Sequence, residues 1–452
     1  MTISAHKPRN SRTPGDAVLD PGYAARAPFE KRCARFGLRM LKRLGQSALR
    51  QVLGSIGYLT HQWTDAIAPL RPGDPAIRRI LVVRVDLLGD TVLSTPAVRA
   101  LRRGYPGAAI DMLVQHATAA VLEGDPDISR VIAYNPHIWR RPGAWLRLRG
   151  WAEALRLLRT LRSPRYDLAI CVSGDVGSII TRLTGARRSV GYAGEAYRHF
   201  LTDPLPGRRY ELHQHEVRYV LRLAEAAGGI VDEQDAQPRL YLSTQRRIEM
   251  RSRLEAGRAQ TGVTGPIVAI HAGARNGQAK RWPLAHFATL CEMLVQNLDA
   301  LVVLTGATNE APLAQAIEQS AAAPLLNLVG ATTLPELVTL LAESDTLVTG
   351  DSGPMHIACA VETPVVVLHG PTDPNLSGPT APDAIVLRRR LWCSPCYDAS
   401  ATAECRFGNP VCMKGIAPRT VFAAVERQLR RHPIFSQATR EECQHVAPTP
   451  HP

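Results

Sequence analysis

Short, continuous apolar runs punctuate the chain, and between them stand stretches whose apolar residues return every three or four positions. Ile80–Val85, Ile110–Val114, Tyr166–Val172, Pro266–His271, Leu301–Leu304, Thr346–Thr349 and Val365–Leu368 are such runs, and they predict strands covered on both faces. Helical spacing occupies residues 91–103, 174–183, 217–227, 244–258, 334–343 and 418–431, with a further helix from about 284. Pro96 must sit in the first turns of the helix over 91–103, where a missing N–H costs nothing. Strand, loop and helix repeat in this order in both halves, which predicts an α/β chain of two Rossmann-like domains facing across a cleft. A chain of 452 residues is also too long for one ordinary core. The expected layout is a disordered tail over 1–28, a basic amphipathic helix and linker over 29–75, one domain over 76–260, another over 261–432, and a disordered tail over 433–452.

The most informative stretch is Asp345 to Pro374. Gly350, Asp351, Ser352 and Gly353 join a strand to a helix, with Pro354 suited to its first position. Amides at such a helix start favour an anion, and a phosphate is the natural guest. A plain turn capped by Ser352 would use the same residues; a second loop at the same sheet edge, His369 to Pro374, favours the ligand. The loop from Ala272 to Pro283 supplies glycines and Lys280 before another helix, an arrangement suited to a diphosphate.

The net charge of +14 argues for acidic partners: nucleic acid, anionic lipid or a phosphorylated substrate. Aromatic residues are only 5%, too few for the stacking platforms of single-stranded nucleic-acid binding, so no nucleic acid is expected. No apolar run reaches the length of a membrane span, no secretory leader is recognisable, and Cys171, Cys291 and Cys359 read as reduced core residues, so a cytoplasmic protein is expected. Residues 29–58 place Met40, Leu41, Leu44, Ala48 and Val52 on one helix face and six basic residues opposite. Either that helix lies on an anionic membrane surface or it packs on the body with a solvated basic face. From Trp139 to Arg165 there are eight arginines and one acid, interleaved with tryptophans, a composition that fits a phosphorylated saccharide or a solvated basic helix.

RVDLLGDTVLSTPAVRAL at residue 84, the K-R-W-P ending at Lys280 and GDSGPMHIACAVETPVVVLHGPTDP at residue 350 together resemble glycosyltransferase family 9, the bacterial heptosyltransferases, over about residues 79–430. The resemblance implies a GT-B, metal-independent, inverting glycosyltransferase, with ADP-heptose as nucleotide-sugar donor and a lipopolysaccharide core or related lipid-linked saccharide as acceptor. It places Asp90 as catalytic base and Lys280 on the nucleotide's phosphate. Glu310 falls on the nucleoside ribose, and Asp351, Ser352, Gly353 and His356 fall around the nucleotide-sugar. Asp86 is a weaker candidate base. Arg140, Arg141, Arg187 and Arg188 are candidate acceptor contacts. Such a protein is expected on the cytoplasmic face of the inner membrane, as a peripheral protein. The alternative is a non-catalytic binder of anionic lipid or nucleic acid.

Two further patterns suggest metals. Asp125-Pro126-Asp127 is a D-x-D string, but its proline and the apolar run after it read as a turn entering a strand. Cys393, Cys396, Cys405 and Cys412 have C-x2-C-x8-C-x6-C spacing, which fits a structural zinc or an iron-sulfur cluster, or else thiols free to stay reduced or to pair.

Overall fold

A computed structural model of the chain describes residues 70–136, 148–194, 198–208, 211–232, 236–274, 277–397 and 404–432. The two predicted tails, the basic helix over 29–58, Arg140 and Arg141 lie outside the described residues.

The first sheet holds β1 (Arg79–Arg84), β2 (Ala109–Gln115), β3 (Arg130–Tyr134), β4 (Leu168–Cys171), β5 (Arg188–Tyr192) and β6 (Asp203–Leu205). All are parallel, in the order β3-β2-β1-β4-β5-β6. With it come α1 (Leu88–Val92), α2 (Thr95–Gly104), α3 (Leu148–Arg162), α4 (Gly174–Thr184) and α5 (Glu216–Ala226). After α6 (Thr244–Thr261), the second sheet contains β7 (Ile267–His271), β8 (Leu301–Leu304), β9 (Leu326–Asn327), β10 (Thr346–Gly350), β11 (Val365–His369) and β12 (Ile385–Arg388). Its order is β12-β11-β10-β7-β8-β9, again all parallel. The connecting helices are α7 (Leu284–Leu298), α8 (Ala311–Ser320), α9 (Leu334–Ala342), α10 (Gly353–Ala360), α11 (Pro374–Ser377), α12 (Val411–Lys414) and α13 (Pro418–Arg431).

Counted from its own first strand, each sheet therefore has the order 3-2-1-4-5-6, and the crevice where the order reverses lies beyond β1 and β4 in the first and beyond β7 and β10 in the second. The central strands are buried on both faces, as their uninterrupted valines, leucines and isoleucines require. The segments that carry Asp90, Lys280 and Asp351 leave β1, β7 and β10, three of these four strands.

Three expectations change. The helix over 91–103 is two helices: α1 stops at Val92, the Ser94 hydroxyl bonds the Asp90 carbonyl at 2.8 Å, and α2 restarts with Pro96 in its first turn. Between the polar stretch over 232–238 and the helix from Thr244 the sequence also predicts a short strand, but none forms at 239–242; the Leu240 amide donates to the Ala360 carbonyl. Finally, α6 belongs with the second sheet, not the first. Met250 and Leu254 pack in one cluster with Ile267, Leu301 and Leu340, and Arg247 and Arg251 both grip the buried Glu343, at 2.6 and 2.7 Å. The crossover thus precedes α6 instead of following it at 260.

The two halves are in contact. Met355, Ile357 and Ala358 of α10 share a buried cluster with Val92, Ala97 and Leu101 of the first half. Arg246 of α6 reaches Glu123 at 3.0 Å.

Candidate active site

Beyond β1 the site is built around a charge that the strand buries. Arg84 ends the run Ile80–Val83 with no exposed surface, and a buried guanidinium is tolerable only among anions. Its Nη2 lies 3.0 Å from Asp90 Oδ1 and 2.7 Å from Glu216 Oε1, and its Nε lies 3.4 Å from Asp86 Oδ2. The other Asp90 oxygen accepts the Leu87 amide at 3.2 Å in the first turn of α1. Asp90 is thus oriented by backbone and guanidinium, yet keeps 18% of its side chain exposed. Asp86 is more exposed and accepts the Ser173 hydroxyl, from the loop after β4, at 2.6 Å.

Beyond β7 and β10 the pattern is complementary. The Lys280 ammonium lies 2.8 Å from Asp351 Oδ2 and 4.4 Å above the Tyr397 ring. Burial alone would push the Asp351 carboxyl up; Lys280, with His369 and His356 nearby, overrides it and holds the group below the usual aspartate value. Ser352 stands at the N-cap of α10, but its hydroxyl pairs with that of Thr349 at 2.9 Å and does not cap the helix. Glu310 accepts the Ala307 amide at 2.9 Å. It lies directly over Gly273, where a Cβ would stand 1.7 Å from Glu310 Oε1 and would displace the carboxylate. Gly273, Ala272, Ile270, Thr305 and Val329 join Glu310 around a cavity beside β7.

The two crevices meet through α1 and α10. A Cβ on Gly353 would lie 2.9 Å from the Leu88 side chain, and Gly89 is packed as closely on His356. Burial pushes His356 down to about 4, against the opposing pull of Asp351 and Asp90, so its ring is neutral near pH 7. Its Nδ1 is buried and makes no hydrogen bond among the described residues. An oriented, partly exposed carboxylate on the first half therefore stands across the Gly89–His356 contact from the Lys280–Asp351 pair and the start of α10 on the second.

Not every predicted residue joins this site. Arg188 is a correction: it is buried, donates to the Ala226 and Ala227 carbonyls at 2.9 and 3.2 Å, and pairs with Asp203 at 3.2 Å, so it caps the C-terminal end of α5. Arg187 is exposed in the bend just before β5. The cysteines are a second correction. Among the described residues no three His, Cys, Asp or Glu side chains converge closely enough for a metal ion. Burial raises the Cys412 thiol to about 11, and Cys405 is turned to the Asn409 carbonyl at 3.3 Å. The quartet as it stands does not fit a zinc or iron-sulfur site. Asp125 and Asp127 form a turn, with the Asp127 amide bonded to Asp125.

Sequence reading missed Arg84, Glu216 and Tyr397. A charge inside the apolar run of β1 was the available signal, since such a residue demands buried partners.

Residues 154–406 match the sequence model of glycosyltransferase family 9 (heptosyltransferase). The chain is 30% identical over 318 residues to lipooligosaccharide heptosyltransferase 2 of Haemophilus influenzae, covering 68% of this chain and 88% of that one. It is likewise 30% identical to lipopolysaccharide heptosyltransferase 2 of Escherichia coli, covering 69% and 88%. The solved structure of the E. coli ADP-heptose LPS heptosyltransferase II superposes with a TM-score of 0.61 at 25% identity, over 78% of this chain and 99% of that one. A family 9 glycosyltransferase from Veillonella parvula superposes at 0.63 with 20% identity, covering 78% and 97%, and shares the fold. With two facing Rossmann-like sheets of GT-B type and a match across more than half its length, this chain belongs to glycosyltransferase family 9, the heptosyltransferases.

Proposed function

We propose that the protein is an inverting glycosyltransferase that moves heptose from ADP-heptose onto a saccharide of the lipopolysaccharide core or a related lipid-linked acceptor. The observation that carries this reading is the meeting of Asp90 with the Lys280–Asp351 pair through the Gly89–His356 contact. An acceptor hydroxyl bound on the first half gives its proton to Asp90 as its oxygen attacks the anomeric carbon. The bond from that carbon to the diphosphate breaks on the opposite face, so the configuration inverts. Lys280 and the amides after Asp351 take up the charge that develops on the departing nucleotide. Glu310 is assigned to the nucleoside ribose. Arg140, Arg141 and Arg187 are assigned to the acceptor, and the chemistry needs no metal ion.

Among the described residues no helix is long and apolar enough to cross a membrane. We assign the protein to the cytoplasmic face of the inner membrane, held peripherally by the basic segment over 29–58. Deleting residues 1–60 then lowers vesicle binding and turnover of lipid-anchored acceptor more than turnover of a soluble acceptor.

The test of function is nucleotide release from a panel of nucleotide-sugars, with and without delipidated core acceptor. Acceptor-dependent ADP release from ADP-heptose, undiminished by EDTA, is expected. Failure of every nucleotide-sugar, together with stabilisation by lipid or DNA alone, would return the non-catalytic reading.

A further inference from the structure

The buried Arg84 presents a difficulty for the base assigned above. A guanidinium 3.0 Å from a carboxylate favours its ionised form, which aims Asp90 well but weakens it as a proton acceptor. The structure supplies a counterweight. Glu216, at the start of α5 and only 2% exposed, approaches the same Nη2 atom more closely than Asp90 does, at 2.7 Å. The start of α5 is itself fixed: His215 Nδ1 accepts the Val217 amide at 3.3 Å, which leaves its Nε2 to donate to the Gly378 carbonyl at 3.1 Å. Glu216 is therefore held in place by a capped helix that bridges both halves.

We propose that Glu216 is a positioning residue of the transfer reaction: it neutralises Arg84, so that the guanidinium can orient Asp90 without removing the proton affinity a general base needs. The inference rests on the assignment of Asp90 as the base. Among the described residues, the charged or titratable groups around Asp90 include Arg84 from β1, Asp86 from the loop after it, Glu216 from α5 and His356 from α10. Of these, Glu216 shares the nitrogen that touches Asp90, and it is too deeply buried to reach an acceptor. Loss of its charge leaves Arg84 to Asp90 and Asp86, and Asp90 then holds its ionised form more firmly.

The test compares Glu216→Gln, which keeps size and hydrogen-bonding reach, with Glu216→Asp, which keeps the charge. Single-turnover rates are measured across pH, with donor affinity and thermal melting of each variant. The expected result for Glu216→Gln is a rate about tenfold lower or less still, an acid limb displaced to lower pH and unchanged donor affinity, with Glu216→Asp recovering part of the rate. A loss of rate with an unmoved acid limb, or one that only tracks the folded fraction, makes Glu216 structural and overturns the inference. Asp90→Asn is run in parallel. If it is inactive while Glu216→Gln behaves as wild type, the positioning role alone fails; if Asp90→Asn stays active, the base assignment fails first.

Discussion

Gly89 and His356 are in contact across the boundary between the two halves, and the space between them admits no additional atom: a Cβ on Gly89 would stand 2.5 Å from Cδ2 of the imidazole. The ring is buried and cannot swing into solvent. Gly89→Ala is therefore expected to destabilise the protein by about 1–3 kcal/mol, as overpacking does, and to lower turnover by separating Asp90 from the donor side. Urea melts and steady-state rates read both effects. Gly107→Ala, where the nearest atom to the added Cβ is 3.6 Å away, is the control and should be near neutral.

The Lys280–Asp351 pair carries a pH signature. Asp351 has a depressed pKa in the folded state, so its contribution is fully present above the unfolded value of about 4 and is lost as pH falls through the lower folded value. Lys280→Met leaves that buried carboxylate without its ammonium. The expected cost is about 3 kcal/mol at pH 7, with loss of stabilisation by ADP. Melting temperatures of wild type and Lys280→Met should converge as pH is lowered below about 4; a gap independent of pH contradicts the pairing.

His356 adds to the loss of stability on acidification, but in a higher pH window. Burial holds it neutral down to about pH 4, whereas in the unfolded chain it takes up a proton near 6.5. The unfolded state thus binds more protons between these values, and stability falls as pH drops from about 6.5 to 4, by roughly 3 kcal/mol for this one group. His356→Gln should flatten that part of the stability curve. An imidazole that titrates near 6.5 by NMR in the folded protein would rule the account out.

The parts of this architecture visible in the chain were those set by local pattern. Val365–Leu368 and Ile80–Val83 read as doubly covered strands because their apolar runs have no polar face to offer solvent. Asp351 to Pro354 read as a helix start because glycine, serine and proline fall in the required order. What local pattern cannot carry is a meeting of distant residues. Arg84 and Glu216 are 132 positions apart and meet only once α5 packs against α2 and β5. Arg188 looked available to an acceptor until the fold brought the last carbonyls of α5 within its reach. The placement of α6 was obscured because Met250, Leu254 and Gly257 are the only buried positions described in a charged helix, too sparse to announce which sheet it covers.

The central claim is that Asp90 removes the acceptor proton while Lys280 and Asp351 serve the donor. Asp90→Asn keeps the shape of the side chain and its acceptor for the Leu87 amide, and removes the charge. Its single-turnover rate with ADP-heptose and core acceptor, measured beside its affinity for the donor, tests the claim most directly. The account predicts a rate lower by roughly 10²–10⁴-fold, the range for loss of a general base, with donor affinity close to wild type. A rate near wild type, or a loss accounted for entirely by weaker donor binding, would contradict it and send the search for the base to Asp86.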